Sequence, residues 1–175
     1  MFAKALTRRT FSSVFNYQNA ANPRAVLTVS QGGNKVGDMV FELYANRQPN
    51  TVANFQAFVA GGYAGSSINS GLAGLGFQAG AMGEENLDCG GQRAADEDLS
   101  VRHTMRGNLS MVNDGTNANG SAFTVTYGPA SMFDGYNTCF GQMVSGEDVL
   151  AQLESATDRH GSVSGDFSIS AAESQ

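Results

Sequence analysis

Few residues of this chain have the type and spacing to do chemistry. His103 and His160 could serve as acid, base or metal ligand. They stand far apart, and His103 leads into a strand-like run, the setting of a hydrogen-bonded structural histidine. No serine, histidine and aspartate share a spacing or context that recommends acyl transfer. Cys89 and Cys139 form no CxxC or Cys/His pattern, so they read as plain thiols rather than a zinc site or a disulfide framework. Glu84, Glu85 and Asp88 read as a solvated acidic turn that would hold a cation weakly at best. Gly74-Leu-Gly76-Phe-Gln-Ala-Gly80 has one residue too many for a dinucleotide fingerprint, and no long helical pattern follows it. No cofactor and no metal are expected.

The elements that would position any site are mostly strands. Ala25–Val29 and Asp38–Tyr44 flank a Gly32-Gly33-Asn34 turn and predict a β-hairpin, with Met39, Phe41 and Leu43 on one face. Gln48–Ala60 opens with a proline suited to a first helical turn and places Val52, Phe55, Phe58 and Val59 on one helical face. A glycine-rich middle runs from Gly61 to Gly83. The polar clusters Asn113-Asp114-Gly115 and Asn119-Gly120 suit tight turns, with strands expected at Phe123–Tyr127 and Cys139–Met143. Ser145-Gly-Glu-Asp148 is expected to cap a second helix through Val149, Leu150 and Leu153, and Asp166–Ser170 alternates as a closing strand. With 175 residues and 22 glycines against 3 prolines, one β-rich domain is the natural reading.

A net charge of −6 without a clustered basic patch argues against nucleic-acid binding. The charge is uneven. Lys4, Arg8, Arg9, Arg24 and Lys35 precede the first acid, Asp38, and residues 1–15 mix Phe2, Leu6 and Phe15 with basic and hydroxyl residues. That is the composition of a mitochondrial transit peptide, and Arg9-Thr10-Phe11-Ser12 is similar to a presequence cleavage site. The expected division is a basic extension over residues 1–21, possible to retain, and a domain over 22–175. No run of apolar residues is long enough to span a membrane.

Asn108 to Phe123 (NLSMVNDGTNANGSAF) resembles the signature of the cyclophilins, the peptidyl-prolyl isomerase family. From about Pro23 to Ala172 other motifs follow in the family's order. They are Pro49, Thr51, Asn54 and Phe55 at a helix start, then Asp96-Glu97 to His103-Thr104, then Phe133-Asp134-Gly135 leading to Phe140-Gly141. The resemblance implies a mainly β fold: a closed eight-stranded antiparallel barrel capped by two α-helices, with a peptide groove on one outer face.

The same resemblance marks where the chain departs from the family. An arginine that serves near the proline nitrogen falls at Ser70. Two pocket phenylalanines fall at Leu75 and Thr124, a methionine at Gly76, a glutamine at Ala122, a tryptophan or similar large residue at Met132, and a histidine at Asn137. Gln78, Val112 and Asn113 keep or nearly keep their types and are the candidates for peptide binding. Phe123 also keeps its type, as expected of a core residue. Amide rotation has a barrier of about 18–20 kcal/mol, and a fixed cationic donor is a direct way to favour the twisted nitrogen. Ser70 cannot provide it, and no catalytic residue of the family is intact.

The departures fall in the groove and spare the core. The favoured expectation is therefore a non-catalytic binding module, an accessory subunit of a mitochondrial assembly such as a respiratory-chain or other inner-membrane complex. Its partner subunits would be contacted in part by residues 1–20, and its place would be the matrix or the inner-membrane surface. The alternative is a weakly active mitochondrial isomerase that assists folding. Poor binding of cyclosporin-type ligands is expected on the same grounds.

Overall fold

A computed structural model describes residues 17–83 and 85–175. The presequence reading of residues 1–16 and the part of Glu84 in the acidic turn lie outside the described residues.

Eight antiparallel strands close into a barrel in the order β1-β2-β7-β5-β6-β4-β3-β8. The strands are β1 (Arg24–Gln31), β2 (Asn34–Leu43), β3 (Ser67–Leu72), β4 (Gly76–Ala79), β5 (Asn108–Asn113), β6 (Asn119–Thr126), β7 (Cys139–Ser145) and β8 (Ser162–Ser174). Two helices, α1 (Pro49–Gly61) and α2 (Glu147–Ala156), complete the fold that the resemblance implies. Closure leaves none of these eight strands with a free edge.

Alternation along the strands builds the interior. Ala25, Leu27 and Val29 from β1, Met39, Phe41 and Leu43 from β2, and Phe77, Leu109, Met111, Phe123 and Val125 are all buried together. Helix α1 lays Val52, Phe55 and Val59 into this core. The Phe55 ring lies 5.4 Å from Phe123, 5.1 Å from Phe140 and 5.3 Å from Tyr63, a cluster of tilted and edge-on rings. Tyr63 then ties the end of α1 to the barrel, its hydroxyl donating to the Ser121 carbonyl at 2.7 Å. Helix α2 buries Val149, Leu150 and Leu153.

Local readings are corrected at two places and filled in at a third. Asn119-Gly120 opens β6 rather than forming a turn, because Asn119 pairs with Asn113 and bridges Ala94. The glycine-rich middle contains two strands, β3 and β4, joined by a short turn. Ser145 does not cap α2: the cap position is Gly146 at φ 106, and no side chain caps it. A Cβ at Gly146 would stand 2.6 Å from the Asp38 carbonyl oxygen, so the tight approach to β2 selects glycine there.

The long loop from Ala81 to Gly107 is fixed by side chains. Gln48 donates to the carbonyls of Asp98 (2.8 Å) and Cys139 (3.1 Å) and accepts from the Asp98 N–H at 3.0 Å. The lead-in to β1 is held as well. Tyr17 packs 5.6 Å from Tyr44, with the Arg47 guanidinium 5.6 Å from its ring, and the Asn19 N–H donates to buried Glu42 at 2.7 Å.

Candidate functional site

Strands β3, β4, β5 and β6 lie side by side on one flank of the barrel, and their outward residues frame a hollow of about 400 Å³. Ser70, Gln78, Val112 and Ala122 line it together with Asn69 and Ser67. Four of the positions singled out in the sequence thus meet in one place. Cross-strand register explains why: Ser70 stands opposite Gln78 in the β3–β4 pair, and Gln78 stands opposite Thr124 in the β4–β6 pair.

Among the described residues that line the hollow, none is acidic or basic. Among the described residues, the side chains of Asn69, Ser70 and Gln78 make no hydrogen bond, so a hydroxyl and two carboxamides are left to meet a guest. Such groups can hold a polar extended segment, but none can place a fixed positive charge beside an amide nitrogen.

The remaining positions do not line the hollow. Thr124 is 3% exposed, packed at the β4–β6 seam. Leu75 is half-buried in the β3–β4 turn, where its carbonyl accepts from the Tyr127 N–H at 2.8 Å. Met132 sits on a single 3-10 turn (Ser131–Phe133) and is 60% exposed, so it forms no wall against a ring. Asn137 and Asn113 are spent on structure: Asn137 Nδ2 donates to the Met111 carbonyl at 3.0 Å, and Asn113 Nδ2 to the Tyr136 carbonyl at 2.8 Å. Phe123 is fully buried in the core, as its retained type suggests.

The absence of a pocket wall also has a steric cause. A Cβ at Gly76 would meet the Val125 carbonyl oxygen at 2.4 Å. The strands close over the space a larger side chain would need.

One residue beside the hollow escaped the sequence reading. Asn86 reaches from the long loop, donating through Nδ2 to the Val112 carbonyl at 2.8 Å. Its Oδ1 accepts from the N–H groups of Ser121 (3.0 Å) and Ala122 (3.1 Å). It thereby sets the positions of two lining residues, Val112 and Ala122. An asparagine in an irregular loop carries no periodic signal, and only the folded loop reveals its partners.

A serine, a histidine and an aspartate do come together, although no spacing recommended them. His103 Nδ1 lies 3.0 Å from Asp134 Oδ1, and His103 Nε2 lies 2.8 Å from Ser110 Oγ. With Asp134 ionised, the ring donates from Nδ1 and accepts the Ser110 hydroxyl at Nε2. Both Ser110 and His103 are 1% exposed, so no substrate reaches the hydroxyl. Burial lowers the His103 pKa against the opposing pull of Asp134, which favours the neutral ring. Burial would raise the Asp134 pKa, but hydrogen bonds from His103 and Arg102 outweigh it and hold the carboxyl below its ordinary value. The set is a structural clasp between β5 and the loop before β7.

Among the described residues no group of three or more His, Cys, Asp or Glu could hold a metal ion, and no helix is long and apolar enough to cross a membrane. The family model described as cyclophilin type peptidyl-prolyl cis-trans isomerase/CLD matches residues 26–174, the span from β1 to the end of β8.

Proposed function

The chain belongs to the cyclophilin-type peptidyl-prolyl cis-trans isomerase family, and from that premise we propose that it is a non-catalytic binding module of this fold. The observation that carries this reading is Ser70. At the position of the family's arginine it lines a hollow in which no described residue is charged. A catalyst must bind the twisted amide better than the planar one, and hydroxyl and carboxamide groups alone offer little for that task. They suit recognition of a polar segment.

We place the protein in mitochondria, in the matrix or at the inner-membrane surface, as an accessory subunit of a larger assembly such as a respiratory-chain complex. Support comes from Lys4, Arg8 and Arg9 in an acid-free lead sequence. In this reading residues 1–21 form a basic extension to the domain over 22–175, and residues 1–20 contribute to the contact with partner subunits. The docking of Tyr17 and Asn19 on the barrel gives that extension a fixed root.

The deciding experiment is isomerisation of an Xaa-Pro test peptide by the purified protein, followed beside recovery of partners from mitochondria. An uncatalysed rate and stable co-purification with an inner-membrane assembly are expected. Catalysis at the pace of an efficient isomerase would overturn the reading.

A further inference from the structure

A second hollow, of about 480 Å³, lies at the root of β1, lined by Asn19 and Asn22 of the lead-in, Arg24 of β1, Glu42 of β2 and Gln175. It shares no lining residue with the hollow around Ser70. Among the described residues that line it, Glu42 and Arg24 are the ones with charged side chains. They stand directly opposite each other in the β1–β2 register, where opposite charges ordinarily attract. Yet no ion pair joins them. The exposed Arg24 guanidinium makes no hydrogen bond or ion pair with any described residue.

Glu42 is 6% exposed, and both of its hydrogen bonds end on one oxygen. Oε1 accepts from the Asn19 N–H at 2.7 Å and from Asn22 Nδ2 at 2.9 Å. Oε2 meets no donor among the described residues, and neither does Oδ1 of Asn22, a residue 9% exposed. The side-chain atoms fully enclosed without a partner are Asn119 Oδ1 and Thr138 Oγ1 among the described residues, so the two acceptors at the root of β1 are not sealed in but open to the hollow they line. A carboxylate on so buried a residue is ordinarily matched by a cation, and here both donors are neutral.

A lone cation in this hollow would be repelled by Arg24, and a lone anion by Glu42. A small molecule that carries both charges answers both. We propose that the hollow binds a free α-amino acid as its zwitterion. The ammonium, with three N–H donors, bonds Glu42 Oε2 and Asn22 Oδ1. The carboxylate accepts from the Arg24 guanidinium, whose planar fork suits two parallel N–H bonds to one carboxylate. The site stands apart from the groove and does not depend on whether that groove catalyses.

The test titrates the full-length, nitrogen-15-labelled protein with alanine and follows its amide resonances. Ethylamine and propionate serve as probes that each keep one of alanine's two charges. Alanine should shift the Asn19 and Asn22 amides saturably at about 1–10 mM, and each single-charge probe should bind about tenfold more weakly or worse. Glu42→Gln should weaken alanine binding to a similar degree. Because Glu42 also holds the lead-in to β1, Arg24→Gln is the primary variant: its side chain bonds no described residue, so the spectrum should stay folded while alanine binding falls about tenfold. The proposal is overturned by the absence of a saturable shift, by ethylamine or propionate binding as well as alanine, or by binding that Arg24→Gln leaves unchanged.

Discussion

A Cβ placed on Gly76 would lie 2.4 Å from the carbonyl oxygen of Val125 and 3.0 Å from Thr124 Cγ2, so β4 and β6 meet without room for a side chain between them. The wall that would grip a proline ring is therefore excluded by backbone packing as well as by composition. Gly76→Met should lower stability by about 1–3 kcal/mol, the usual cost of forcing bulk into a filled space. Chemical denaturation measures this, and an unchanged midpoint would mean that the two strands part readily.

Restoring one group should not restore catalysis. Ser70 is exposed, so Ser70→Arg should change stability by less than about 0.5 kcal/mol. Its gain in isomerisation should fall well short of the roughly hundredfold that a preorganised donor is worth, because nothing beside it positions the proline. A coupled peptide assay of the variant decides the point, and full recovery would show that the arginine alone was missing.

The same hollow should bind cyclosporin-type cyclic peptides poorly. Met132 is 60% exposed and Thr124 is packed into the seam, so neither offers an apolar face to a buried ring. Calorimetry with a cyclosporin-type ligand should give no saturable heat at micromolar protein. Tight stoichiometric binding would require a rearranged groove.

The barrel was legible where periodicity speaks. Met39, Phe41 and Leu43 alternate into the core, and Val52, Phe55 and Val59 share the buried face of α1. Strands β3 and β4 were not legible locally, since Ser67–Leu72 and Gly76–Ala79 are short and rich in small residues. Of the site, the meeting of Ser70, Gln78, Val112 and Ala122 followed from the family pattern. Asn86, the helix cap from Glu97 and the His103–Asp134 contact did not, because each joins segments far apart in sequence through polar atoms that leave no period.

The buried clasp should make stability depend on pH in a definite sense. The His103 pKa is lowered from 6.5 in the fold, so below that value the unfolded chain binds a proton that the folded chain resists. Stability is then level above about pH 7 and falls as the pH drops below 6.5, with a slope up to about 1.4 kcal/mol per pH unit. The lowered Asp134 pKa adds a separate loss that begins only below about 3.8. Urea midpoints from about pH 7.5 to about pH 5 should show the first slope, and His103→Gln should flatten it while lowering stability throughout. A wild-type protein level across that range would show that the ring accepts its proton in place.

Glu97 caps α1 from a distant loop. Its carboxylate accepts from the N–H groups of Asn50 (3.0 Å) and Thr51 (2.8 Å), donors that a helix cannot satisfy within itself, while Gln48 before the helix makes no side-chain cap. Glu97→Ala should cost about 1–2 kcal/mol, as loss of a cap does. Glu97→Gln keeps one acceptor oxygen but turns an NH2 toward the other N–H, so it gives up one of the two bonds as well as the favourable charge at the positive helix end and should cost less than alanine, about 0.5–1.5 kcal/mol. Denaturation of both variants gives the order. If glutamine were as damaging as alanine, the one acceptor it keeps would contribute nothing to fixing the loop onto the helix.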